Sequence, residues 1–121
     1  MQYYYKLVSV DKNHDLVSAM ATGKSQVIYK VNEWTKPPAW LRQLDKGLFV
    51  FDSVEHAKSF RYRVASAGTE IWHCRVRAII LNNQYCDLDY LNDGKIFETN
   101  NDFPSGSIQV KQVKLIFKHH E

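Results

Sequence analysis

The stretch that decides the fold is EIWHCRVRAII, Glu70 to Ile80. Side chains of a strand alternate between two faces, so this segment divides into two sets. Trp72, Cys74, Val76, Ala78 and Ile80 make an apolar face that requires a core beneath it. Ile71, His73, Arg75, Arg77 and Ile79 make the other: a ladder of cationic or protonatable groups between two isoleucines. Such a ladder serves either water or an anion.

Immediately upstream, Asp52 to Ala67 carries the pattern of a helix. Asp52 can cap it, and Glu55 three residues on completes a capping box. Val54, Ala57, Phe60 and Val64 form an apolar stripe, and Gly68 can end the helix in a left-handed turn. Before it, LFVF (Leu48 to Phe51) reads as a buried strand, and TKPPAWLRQLDKG as an exposed loop centred on Trp40, broken by two prolines. Three strands open the chain: Gln2 to Val10, Leu16 to Ala21 and Gln26 to Trp34, joined by short turns as an antiparallel meander. Downstream, residues 82–106 hold Asn, Asp, Gly and Pro punctuation and accommodate both a short helix around Asp87 to Leu91 and a short strand around Lys95 to Glu98. Ser107 to Lys118 is a last strand whose apolar positions change phase, which predicts a bulge near Lys111 and Gln112. The expected architecture is α+β: an antiparallel sheet of about six strands with one main helix packed on a face, in one domain spanning residues 1–121.

The chain of 121 residues suits one domain. At that length roughly two-thirds of the unfolded surface is buried, enough for a core without staples. Sixteen Lys and Arg against thirteen Asp and Glu give a net charge of +3, enough to favour an anionic ligand where the charge is concentrated. Cys74 and Cys86 are too few for a disulfide framework and read as reduced thiols. No secretion leader and no apolar run approaching the ~20 residues of a membrane helix is apparent, so a cytoplasmic protein without a membrane partner is expected.

Several catalytic patterns fail. ATGKS lacks the first glycine of a P-loop, because Ser18 stands in its place, and no long helix follows. His14, His56, His73, His119 and His120 show no ligand spacing with the cysteines, so no metal is expected, and His119 and His120 read as a frayed end. Cys86 reads as an inert thiol, and no cofactor is called for. The cations carry more. Arg61, at the margin of the helical stripe, either snorkels over the core or grips phosphate with its fork of donors. His73, Arg75 and Arg77 on one face repel one another unless an anion or carboxylates sit opposite. Lys111 and Lys114 add to the supply from the last strand. Phe97, Phe103 and Tyr90 offer rings for stacking, and Asn92, Asn100 and Asn101 offer amides for a base edge. Cations, rings and amides are what a nucleotide pocket needs, and a groove for single-stranded nucleic acid uses the same parts.

The order YYKLVSVD, MATGKSQVIYKVNEWTKP, GLFVFDSVEHAKSF, IWHCRV and SGSIQVKQVKLI resembles, over nearly the whole chain, the small phage proteins that disarm the bacterial Thoeris defence. Those proteins are sponges that capture a cyclic ADP-ribose isomer made by a TIR-domain enzyme and hold it uncleaved. The resemblance implies a non-enzymatic protein and a small cyclic ligand in place of a long nucleic acid. It also implies a homo-oligomer, from a dimer up to a hexamer, with ligand sites between protomers and a second class of site for cyclic oligonucleotides. GLFVFDSVEHAKSF is similar as well to a strand and helix of ADP-ribosyltransferase-like folds. An enzyme of that class needs a catalytic acid or histidine against NAD, for which Glu70 and His73 are the nearest candidates. A small inhibitor that binds an immune protein or RNA directly is the third reading.

Overall fold

The alternating segment is a strand, as its period requires, and it lies at the centre of the architecture. The computed structural model describes residues 2–19, 26–43, 47–64, 68–80 and 106–120. In chain order these form β1 (Tyr4–Val10), β2 (Leu16–Ser18), β3 (Ile28–Tyr29), β4 (Trp34–Thr35), α1 (Ala39–Arg42), β5 (Leu48–Phe51), α2 (Val54–Val64), β6 (Thr69–Ile80) and β7 (Ser107–Lys118). The class is α+β and every strand pairing is antiparallel.

The expected sheet of about six strands with one helix on a face is corrected in one respect: the sheet has seven strands and part of it closes on itself. β6 pairs with β1 from Ser9↔Thr69 to Tyr4↔Cys74, and with β7 from Trp72↔Lys118 to Ile80↔Gln109. β5 pairs with β7 from Leu48↔Val110 to Phe51↔Ser107 and meets β1 at Tyr5↔Phe51. β1, β5, β7 and β6 therefore make a four-strand ring, with β2 and β3 added beside β1 and β4 beside β7. β6 and β7 are 12 residues each, long enough for strand twist to bring different stretches of one strand to different partners. Closure also pairs edges that an open sheet would expose.

The ring has a core inside and a helix outside. Val8, Leu48, Val50, Cys74, Val110, Val113 and Leu115, drawn from all four ring strands, pack with Val27 and Tyr29. On the outside, Ala57 and Phe60 of α2 pack on Leu7, Phe51 and Ile71. β1 is consequently buried on both faces, and Lys6, Leu7 and Val8 are all buried in succession. Ala57 and Phe60 occupy the expected stripe; the side chain of Val64 and residues 65–67 lie outside the described residues. The cap is shifted by one residue from expectation. Ser53 Oγ accepts from the His56 backbone N–H at 3.2 Å, while Asp52 meets the His56 ring at Nδ1, 2.6 Å away. Gly68 has φ 83, the left-handed conformation predicted for it.

One glycine is required by close approach. A Cβ on Gly47 would come within 2.2 Å of the Val110 carbonyl oxygen and 2.9 Å of Ile80 Cδ1, so β5 can lie against β7 only without a side chain there. The phase change in β7 is present, since Val110 and Val113 are both fully buried. The bulge expected at Lys111 and Gln112 is not, because Arg77↔Gln112 and Ile79↔Val110 keep one register across it. The irregularity lies on β6, where Ala78 between those pairs has φ 57. The true register shift is at His73/Cys74, which pair with Phe117 and Leu115 and leave Ile116 as the extra residue. The proline loop contains one helical turn, α1, in which the Arg42 N–H donates to the Pro38 carbonyl at 3.1 Å. Among the described residues no helix is long and apolar enough to cross a membrane.

Candidate functional site: a face of cations and rings

On the outer side of the ring, the set beginning with Ile71 meets two different environments. Ile71, paired with Leu7, is sealed beneath α2. Beyond the helix the face continues uncovered by it, and strand register arranges its side chains in rows. The first row is Tyr5, His73 and Phe117, across β1, β6 and β7. The second is Arg75, Lys114 and Trp34, across β6, β7 and β4, with the Tyr3 ring 5.5 Å from the Arg75 guanidinium at its β1 end. The third pairs Arg77 with Gln112.

In the first row aromatic contact dominates. His73 stacks on Phe117 with ring centres 4.1 Å apart, and Tyr5 and Tyr3 meet its edge at 4.8 and 5.7 Å. Its Nε2 is 3.2 Å from His119 Nδ1. Burial, and secondarily the charge of His119, hold the His73 pKa below the usual histidine value, so the ring is neutral at physiological pH.

In the second and third rows positive charge gathers around a ring. The Arg77 guanidinium lies 3.9 Å from the centre of the Trp34 ring, and Lys114 Nζ 5.5 Å from it. Cation–π contacts of this kind contribute about 0.5–1 kcal/mol at exposed sites. They keep the charge in place without neutralising it. Arg75 stands directly opposite Lys114, and like charges across a strand pair are destabilising. Neither Arg77 nor Lys114 forms an ion pair among the described residues. The nearby carboxylate, Glu70, is engaged with Lys118 at 3.0 Å. It also accepts from Trp72 Nε1 at 3.1 Å. Burial raises the Glu70 pKa, but the hydrogen bonds from Lys118 and Trp72 and the Lys118 charge outweigh it and leave the group below its usual range. The face is thus cationic, flanked by rings, and suited to an anion that carries a planar group.

Of the residues singled out in the sequence, His73, Arg75, Arg77 and Lys114 meet on this face. Arg61 is half-buried on α2, which sits at the Ile71 end of the same face. Lys111 does not join: it is exposed where β7 changes phase, one position out of step with Gln112 and Lys114. Asn92, Phe97 and Phe103 lie outside the described residues, with Tyr90, Asn100, Asn101 and Cys86.

Five contributors were not foreseen: Tyr3, Tyr5, Trp34, Phe117 and His119. Trp34 was expected to end a strand running from Gln26. Instead β3 stops at Tyr29, and Asn32 adopts a left-handed φ of 64 that asparagine tolerates. The Asn32 N–H donates to the Leu115 carbonyl at 2.8 Å, and β4 then pairs with β7, delivering Trp34 to Lys114. His119 is not a frayed end either: its N–H donates to the Ile71 carbonyl at 2.8 Å. The one available signal was the Tyr3–Tyr5 run, since alternate residues of a strand share a face.

Three further ionisable groups lie inside the ring. Lys6, 8 % exposed, donates from Nζ to the Phe49 carbonyl at 2.6 Å and lies 5.3 Å from the Tyr29 ring centre. Burial pulls its pKa down to about 8. Burial also pushes the Cys74 thiol up to about 12 and raises the Tyr29 phenol. Among the described residues no three His, Cys, Asp or Glu side chains gather to hold a metal. Compared with known proteins, the chain matches no family model, no curated protein and no solved structure.

Proposed function

We propose that this chain binds a cyclic, phosphate-bearing nucleotide and acts by sequestering it without cleavage, in the manner of the phage anti-defence sponges it resembles. The ligand class is a cyclic ADP-ribose isomer, with cyclic oligonucleotides as a second class, in the cytoplasm of an infected cell. The observation that carries the reading is the Arg75–Lys114 pair set between the Tyr3 and Trp34 rings. Opposed cations attract phosphates, and a purine supplies the planar group that rings stack on. A sponge needs affinity and abundance, with no rate acceleration. At a nanomolar Kd the binding free energy is about −12 kcal/mol, within reach of charge-assisted contacts and a stacked base in a pocket closed by a second protomer.

The ADP-ribosyltransferase reading has less support. Glu70 and His73 are out of phase on β6, and the Glu70 carboxylate is occupied by Lys118 and Trp72. Incubating the protein with cyclic ADP-ribose isomers and cyclic oligonucleotides, then releasing the bound fraction by heat, separates the readings. Recovery of intact ligand is the expected result. Degraded ligand points to a hydrolase, nicotinamide formed from NAD to a transferase, and no retained ligand to an inhibitor of a macromolecule. Light scattering at micromolar concentration is expected to give at least a dimer. A 14.2 kDa monomer that still binds tightly would move the site within one chain.

A further inference from the structure

His73 and His119 face one another in line. Their ring centres are 5.4 Å apart and the facing nitrogens 3.2 Å apart, so most of the centre-to-centre distance is two ring radii and one hydrogen bond. A metal ion does not fit between them as placed, because two Zn–N bonds in line need about 4 Å. One nitrogen must therefore carry a proton and the other a lone pair. The direction follows from the far side of His73, where Nδ1 is buried without a hydrogen-bond partner among the described residues. A buried N–H without an acceptor is the rarer and costlier orphan. Nδ1 is then the bare nitrogen of His73, and His73 Nε2–H donates to His119 Nδ1.

We infer that His119 masks His73: it occupies the one outward N–H that His73 could offer to a ligand phosphate. The inference concerns regulation of the proposed nucleotide face and rests on that reading. Among the described residues, Tyr3 and Tyr5 face His73 from β1, Phe117 from β7, and Arg75 adjoins it on β6. Glu70 is tied to Lys118, and α2, over the neighbouring Leu7 and Ile71, carries Lys58 and Arg61. Burial of His73 beside His119, which lowers its pKa, agrees with a ring that stays neutral while the mask is in place.

Two measurements test it. Long-range nitrogen–proton spectra of the wild type at pH 7.5 are expected to show both rings as Nε2–H tautomers; an Nδ1–H tautomer on either overturns the pair. Calorimetry with ADP as the probe is expected to give His119→Ala roughly three- to tenfold tighter binding than the wild type at pH 7.5. Equal or weaker binding by a folded His119→Ala overturns the masking. Failure of both proteins to bind ADP overturns the face as a nucleotide site and the masking with it, while the tautomers still decide the pair.

Discussion

Replacing Lys6 by Met tests whether the ring interior is as dry as its packing implies. Methionine keeps an unbranched stem of similar length and removes only the ammonium. Burial lowers the Lys6 pKa from 10.5 to about 8. At about 1.4 kcal/mol per pH unit, that fall amounts to about 3 kcal/mol of differential stability. The sign follows from proton counting. Below pH 8 both folded and unfolded chains hold the Lys6 proton, and the fold bears the full cost of a buried charge. Between about 8 and 10.5 the folded chain has released the proton while the unfolded chain keeps it, so stability rises with pH. Above 10.5 both forms are neutral. Cys74 and Tyr29 act oppositely, because burial holds both neutral in the fold while their unfolded counterparts ionise. The Tyr29 contribution is common to both proteins, and the charge coupling of Cys74 to Lys6 is a smaller cause than burial at either group, so the comparison reports chiefly on Lys6. In urea unfolding at pH 7, 9 and 11, Lys6→Met is expected to be the more stable protein at pH 7, losing about 3 kcal/mol of that advantage by pH 11. Parallel stability curves for the two proteins would refute a desolvated Lys6.

Arg75→Ala and Arg77→Ala should each weaken nucleotide binding by about 1.5–3 kcal/mol, the worth of a charge-assisted hydrogen bond, with the fold retained because neither belongs to a core cluster; unchanged affinity by calorimetry for both would leave the ladder as solvated surface. Gly47→Ala should destabilise by about 1–3 kcal/mol or more, since its Cβ would approach the Val110 carbonyl to 2.2 Å; a urea midpoint equal to that of wild type would contradict the close approach of β5 to β7. The Cys74 thiol, buried and held to a pKa of about 12, should resist a thiol-exchange reagent at pH 8 in the native protein and react on unfolding; rapid native modification at Cys74, located by peptide mapping, would contradict its place in the core.

What could be read from the sequence was local. The alternation of Glu70 to Ile80 and the stripe of Ala57 and Phe60 are set by period alone, and both elements are present. Closure of the ring was not legible, because it depends on β1 meeting both β5 and β6, pairings between residues more than forty apart in sequence. Lys6 was hidden for the same reason. In a strand covered on one face it would point to water, but a strand with a helix outside and a core inside has no wet face. Trp34 was misplaced by a single backbone angle at Asn32, which redirects the chain from β2 to β7. The site was therefore half visible: the cations declared themselves by alternation on one strand, whereas the rings beside them come from three other strands and a tail.

Whether the ladder serves water or an anion turns on what lies across from it. The neighbouring Glu70–Lys118 pair illustrates the ordinary arrangement on a solvated sheet, a carboxylate balancing a cation at 3.0 Å. Such a pair adds up to about 1 kcal/mol of stability. At Arg75 the partner across the strand is Lys114, which costs stability where a glutamate would add it. Trp34 attracts both Arg77 and Lys114, so the ring fixes the positions of two cations that would otherwise swing apart into solvent. An indole at the same location as an ordinary surface residue would not require two cations over it, and two lysines on solvated loops would not require an indole. Arg77 and Lys114 held about one indole are a preorganised arrangement. The cost of gathering them is met in folding, and on the proposed reading an arriving phosphate would recover it as binding energy.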